Sequence, residues 1–338
     1  MDRSARPAAR RTVSGRTDAR FWLLLAATAF ACLGLADPQI DYRRQRYDAL
    51  FVVDITGSMN VRDYRLDGAP QSRLDHVKAV LAALIADLPC GSRAGFGVFA
   101  ERRPFLLIAP VETCANFAPL AGMLQQLDWR MAWEGDSYVA SGLYQSIDLA
   151  AAFDTDLVFL TDGQEAPPLH WSGAAPFEGE PGAVHGLIVG VGDVIPSPIP
   201  KFDRDGRENG FLEPGDVVQE NRSGTPPPDA ERREGWHPRN APWGAAAASG
   251  EEHLSAVHEA HLRALAAATG LGYVRLTPGL PLERELATQA APREADARLP
   301  LAPWFAATAL ILLTAVWRPE GAGRRPLSLI SLRPRRPV

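Results

Sequence analysis

The sequence sets oxygen-bearing side chains at the ends of apolar runs. Asp54, Thr56 and Ser58 lie in "VVDITGSMN", Ser137 in "EGDSYVASGL" and Asp162 in "FLTDG". Two carboxylates and three hydroxyls, with no sulfur or imidazole among them, suit a hard divalent cation. The hydroxyls bind it directly, the carboxylates hold its coordinated waters, and one octahedral position stays open. Mg²⁺ is the natural occupant, with Mn²⁺ as its substitute. Taken alone, the first segment reads equally well as a capped helix start. The ordered set of all three segments is what points to a metal.

Residues 49–55 form a continuous apolar run, the pattern of a strand buried on both faces of a parallel sheet. From Leu74 to Leu88 the apolar residues recur at three-and-four spacing, which predicts a helix ended by "LPCG". Strands are expected at 94–100 and 104–109, helices at 117–127 and 138–153, and strands at 156–163 and 185–192. A helix over 251–270 and a short strand "GYVRL" follow. Strands alternating with helices imply an α/β, doubly wound, Rossmann-like sheet. Ligands of such sheets bind outside the carboxyl ends of the strands, where Asp54, Asp162 and the loop of Ser137 fall. The periodicity fails over 194–250, an irregular insertion with hairpin content near 201–219.

The formal net charge of −5 hides a segregation. Residues 1–20 carry +4 and residues 318–338 carry +5, which leaves −14 for the chain between them. Each basic tail abuts an uncharged apolar run, 21–36 and 299–317, and the second has Trp304 and Trp317 as interfacial anchors. The positive-inside rule predicts two transmembrane helices, both tails cytoplasmic and the acidic segment periplasmic or extracytoplasmic. A cleaved signal peptide is the rival reading of 21–36, a lipid on Cys32 is disfavoured, and two buried core helices would be the bland alternative. Besides Cys32 there are only Cys90 and Cys114, which flank the expected strands 94–100 and 104–109. In an oxidising compartment they are expected to form a disulfide.

"DITGS", "GDS" and "TDG", in this order, resemble the metal-ion-dependent adhesion site of von Willebrand factor A domains. The resemblance covers 48–290 and implies that Asp54, Thr56, Ser58, Ser137 and Asp162 are the metal positions. Thr56 stands where serine is usual and Ser137 where threonine is usual, and each keeps its hydroxyl. Four longer stretches, including "VVDITGSMNVRDY" and "GVGDVIPSPIPKFDRDGRENGF", resemble the membrane-anchored, MxaL-type A-domain proteins encoded with bacterial methanol dehydrogenase. That resemblance implies a role in maturation of the dehydrogenase, by Ca²⁺ loading or assembly. The alternative is the broader group of A-domain proteins that work beside MoxR-type AAA+ ATPases in envelope stress or complex assembly.

No nucleophile with a base, phosphate-binding glycine loop or dinucleotide fingerprint is present. A protein-binding module is therefore expected, in which the open metal position accepts a partner's carboxylate. A metal-dependent hydrolase is the competing class, and nothing suggests nucleic acid. Gln164 and Glu165 are candidates for partner contact beside the metal. Asp203, Asp205 and Glu208 are read as a turn between short strands, not a Ca²⁺ loop. His253, His258 and His261 are read as part of a solvated helix face.

Overall fold

The computed structural model describes residues 19–132, 136–169, 173–217, 232 and 250–317. The chain divides into two units, residues 44–295 and the flanking segments 1–43 and 296–338.

In the larger unit, β2 (Asp48–Asp54), β5 (Arg93–Ala100), β6 (Arg103–Glu112), β7 (Asp156–Thr161), β8 (Gly186–Gly190) and β13 (Gly272–Arg275) form one sheet, ordered β13-β8-β7-β2-β5-β6. Every pairing is parallel except that of β6, which runs antiparallel at the edge beside β5. The uninterrupted apolar run of β2 has its cause in this placement, because every one of its residues is buried. Phe51 and Val53 pack on one face with Leu81 of α2 (Arg73–Asp87), Leu120 of α3 (Phe117–Gln126) and Leu286 of α6 (Leu282–Gln289). Leu50 and Val52 pack on the other with Leu143 of α4 (Val139–Ala152) and Leu262 of α5 (Glu259–Thr269). The close seat of α4 on the sheet requires Gly142, where a Cβ would stand 2.0 Å from the Phe99 ring.

Short elements decorate the carboxyl edge: the hairpin β3 (Tyr64–Leu66)–β4 (Ala69–Gln71), the pair β9 (Ser197–Pro198)–β12 (Leu254–Ser255), and the hairpin β10 (Pro200–Phe202)–β11 (Glu208–Phe211). The turn expected at 203–208 is present, closed by Asp203 Oδ1, which accepts the backbone N–H groups of Asp205 and Arg207. Residues 218–231 and 233–249 of the 194–250 insertion lie outside the described residues. The helix expected over 251–270 is shorter, beginning at Glu259. Leu254 and Ser255 pair instead with Pro198 and Ser197, and His258 donates its N–H to the Asp162 carbonyl, outside helical geometry.

In the smaller unit, α1 (Ala19–Leu35) packs on α7 (Ala302–Val316). β1 (Gln39–Arg46) and β14 (Arg293–Pro300) form a two-stranded sheet. Among the described residues no helix is long and apolar enough to cross a membrane. α1 has 17 residues and α7 has 15.

Candidate metal centre

Asp54 ends β2 and Thr161 ends the neighbouring β7, with Asp162 directly after it, so pairing of these parallel strands brings the strand ends side by side. Asp54 Oδ1 accepts the Thr56 N–H at 2.9 Å and the Thr56 hydroxyl at 2.7 Å, which folds the loop back over the strand end. Its Oδ2 accepts the Thr161 hydroxyl at 2.6 Å. Thr56 Oγ1 lies 3.4 Å from Ser58 Oγ. Residues 57–60 form a single 3₁₀ turn that presents Ser58 beside Thr56.

Ser137 arrives from a third segment. Its N–H donates to Ala166 at 2.7 Å and its carbonyl accepts from Ala166 at 2.8 Å, while its neighbours bridge to Glu101. The backbone is thus held on both sides, and Thr56, Ser58 and Ser137 line one cavity of about 600 Å³. All five positions named from the sequence are buried, Asp54 and Asp162 completely.

Burial first, and the charge of Asp162 second, push the Asp54 carboxyl up to about 7, against the lowering effect of its hydrogen bonds from Thr161 and Thr56. Two like charges brought together out of water call for a cation. The Ser137 hydroxyl carries the fit. Among the described residues its oxygen is buried without a hydrogen-bond partner, a costly state for a group that could have faced water. A bound cation supplies the missing partner, and the surrounding donors are oxygens of the kind Mg²⁺ and Mn²⁺ prefer. The residues present fit a divalent metal held by Asp54, Thr56, Ser58, Ser137 and Asp162.

Several residues that the sequence did not disclose hold this set in place. Arg73, the first residue of α2, is wholly buried. Its Nη1 donates to Asp162 Oδ2 at 2.8 Å and to Ser255 Oγ at 2.6 Å, and its Nε and Nη2 both donate to Asp63 Oδ2. The Ser255 hydroxyl donates to the same Asp162 oxygen at 2.7 Å. Thr161 could have been noticed as the residue beside Asp162 at the strand end. Arg73 and Ser255 lie 89 and 93 residues from Asp162 and carry no local signal.

Gln164 and Glu165 have internal partners. Gln164 Nε2 donates to the carbonyls of Glu252 and Leu254. The Glu165 carboxylate accepts the N–H groups of Val139 and Ala140 at 2.9 and 3.0 Å, capping α4 directly after Ser137. Of the three histidines, His261 is half-buried, with Nε2 3.0 Å from Glu165 Oε1, in place of the solvated position expected for it. Cys90 and Cys114 form the expected disulfide, with Cα atoms 5.2 Å apart.

Residues 49–164 match the family described as von Willebrand factor type A domain. No curated protein matches the chain. Among solved structures, the chain is similar to an aerotolerance-related membrane protein from Bacteroides fragilis, at 15% identity over 72% of this chain and 98% of that one, TM-score 0.44. It is also similar to BatB from Bacteroides thetaiotaomicron, at 16% identity over 71% and 94%, TM-score 0.43. The manganese-loaded TRAP protein of Plasmodium vivax matches at 9% identity over 78% and 82%, TM-score 0.32.

Proposed function

We propose that this chain is a membrane-anchored, metal-dependent protein-binding module and not an enzyme. The observation that carries the reading is the buried Ser137 hydroxyl, without a partner among the described residues, on the same cavity as Thr56 and Ser58. Asp54, Thr56, Ser58, Ser137 and Asp162 would hold a cation there, and its positive charge would attract a carboxylate of a protein partner entering the cavity. The carboxylate that the Thr56 hydroxyl bonds to is Asp54, a group this reading assigns to holding the cation, which favours binding over hydrolysis.

Support for the anchor comes from the α1–α7 pair, which is arranged opposite to a soluble helix pair. The residues it buries are Ala27 and Ala309, while Phe21, Trp22, Trp304, Leu310 and Ile311 face outward. Small residues inside and large apolar ones outside suit a lipid surround. The basic tails then lie in the cytoplasm and the acidic unit in the periplasm of a bacterial inner membrane. In that compartment the client is methanol dehydrogenase or its assembly machinery, a reading that rests on the sequence resemblance alone.

Calorimetric titration of the full chain in detergent micelles with Mn²⁺ or Mg²⁺ tests the metal reading. One saturable site in the wild type, absent in Asp54→Ala, is expected, and equal binding by both proteins would defeat it. For the client, the gene is deleted and complemented with wild type or Asp54→Ala. Calcium-poor, inactive dehydrogenase restored only by the wild type is expected. Full activity in the deletion strain together with an envelope-stress phenotype would favour partnership with a MoxR-type ATPase.

A further inference from the structure

Segment 197–217 lines the same cavity as the metal-binding loop. Ile199 is 4% exposed and lies 3.9 Å from where a Cβ on Gly57 would sit, between Thr56 and Ser58. It is fixed at both sides: its carbonyl accepts the Leu212 N–H at 2.9 Å, and the preceding Ser197 and Pro198 pair with Ser255 and Leu254. Ser255 in turn donates to Asp162. The wall is therefore built on the same buried network that holds the metal carboxylate. Farther along the hairpin, Phe202 stacks on Trp129 with ring centroids 4.3 Å apart, and Arg62 pairs with Glu208.

The resulting cavity of about 600 Å³ has oxygen donors at its base and Ile199, Leu212, Trp129, Phe202 and Pro167 on its sides. That size is in the range of ~300–1,000 Å³ that accepts a compact ligand. A narrow segment fits between these walls, and its side chains beside the carboxylate then meet apolar surface. Charge decides the rest. Asp136, Asp216 and Glu252 on the lining outnumber Lys201, which pairs with Asp216 at 2.5 Å. Without a cation the cavity repels a carboxylate, and with one it attracts it.

We propose that segment 197–217 is the specificity wall of the metal site, selecting a carboxylate carried between aliphatic side chains on a protruding loop or chain end of the partner protein. The proposal rests on the metal-binding reading above, and the experiment separates the two.

The probes are acetyl-Leu-Asp-Leu-amide, acetyl-Gly-Asp-Gly-amide and acetyl-Leu-Asn-Leu-amide, added to the full chain in detergent micelles with Mn²⁺. Binding is read from the paramagnetic relaxation of the central residue's β-protons, and Mn²⁺ affinity is measured separately by calorimetry. The Leu-Asp-Leu peptide is expected to bind roughly tenfold more tightly than Gly-Asp-Gly, since two leucines gain apolar burial. The asparagine peptide should show no binding, and chelation of Mn²⁺ should release both aspartate peptides. Ile199→Ala and Phe202→Ala should each shrink the leucine preference with Mn²⁺ affinity unchanged. Phe202, half-buried on the hairpin, carries the test if the Ile199 variant loses Mn²⁺ through misfolding. Equal binding of the two aspartate peptides, binding of neither, or a preference that survives both substitutions would overturn the proposal while leaving the metal reading intact. Absence of saturable Mn²⁺ binding in the wild type would overturn both.

Discussion

Arg73 and Asp162 form an ion pair sealed from solvent on both sides, Nη1 to Oδ2 at 2.8 Å. Its consequence is orientation. With Oδ2 held by Arg73 and Ser255, and Oδ1 accepting the Gln164 N–H at 3.0 Å, the carboxylate cannot turn, and its remaining lone pairs are the ones left for a metal-bound water. The same guanidinium also holds Asp63, so one positive charge serves two buried acids.

Removing that charge is the first test. Arg73→Met keeps most of the stem but leaves Asp63 and Asp162 without their counter-charge. Breaking a buried pair in this way costs about 3–5 kcal/mol. Thermal unfolding of the full chain should show the loss, and saturating Mn²⁺ should recover part of it by supplying Asp162 with a new counter-charge. A variant as stable as the wild type would show that the pair contributes nothing net.

Ser137→Ala gives a result of the opposite kind. A buried hydroxyl without a partner costs about 1–3 kcal/mol, so its removal should leave the metal-free protein at least as stable as the wild type. Mn²⁺ affinity should fall by roughly tenfold or more, about 1.4 kcal/mol or above. Only a residue positioned for a ligand gives higher stability together with weaker binding. Unchanged affinity in calorimetry would remove Ser137 from the metal set.

Thr161→Val tests the support behind the first carboxylate. Valine keeps the β-branched shape that suits the end of β7 and deletes the 2.6 Å hydrogen bond to Asp54 Oδ2 together with the acceptor of the Gly163 N–H at 3.1 Å. Loss of a bond that orients a metal carboxylate lowers affinity by about 10–100-fold. The Mn²⁺ isotherm should show this with the fold intact by circular dichroism. An isotherm that overlays the wild type would mean that Thr56 alone orients Asp54.

These supports also mark where the sequence became unreadable. Asp54, Thr56 and Ser58 are legible because they share one short stretch at the end of a strand whose burial on both faces gives the unbroken apolar run 49–53. Asp162 was legible because β7 repeats that pattern beside β2. Glu165 looked like a free surface acid because nothing local reveals that α4, which begins 26 residues earlier, needs its N-terminus capped. Ser255 sat in a stretch whose helical periodicity is real only from Glu259 onward. Pairing with Ser197 and Pro198 overrides it before that point, and such pairing depends on the fold, not on local propensity. Arg73 followed a polar turn, where an arginine is ordinarily solvated, and only the closing of the sheet buries it.

The disulfide supplies a last test that separates stability from binding. Cys90 precedes β5 and Cys114 follows β6, so the bridge closes the antiparallel edge at the end of the sheet where β5 begins. Asp54 lies at the other end, beside Phe99 in the register of β2 with β5. The bridge spans a sequence separation of 24 residues, and closing a loop of this length contributes about 3 kcal/mol in the chain-entropy model. The double variant Cys90→Ser with Cys114→Ser should therefore unfold at lower denaturant concentration while its Mn²⁺ affinity matches the wild type. A fall in affinity comparable to that expected of Thr161→Val would show that the edge hairpin is coupled to the metal loop across the sheet. Unchanged stability would show that pairing of β6 with β5 holds the edge without the cross-link.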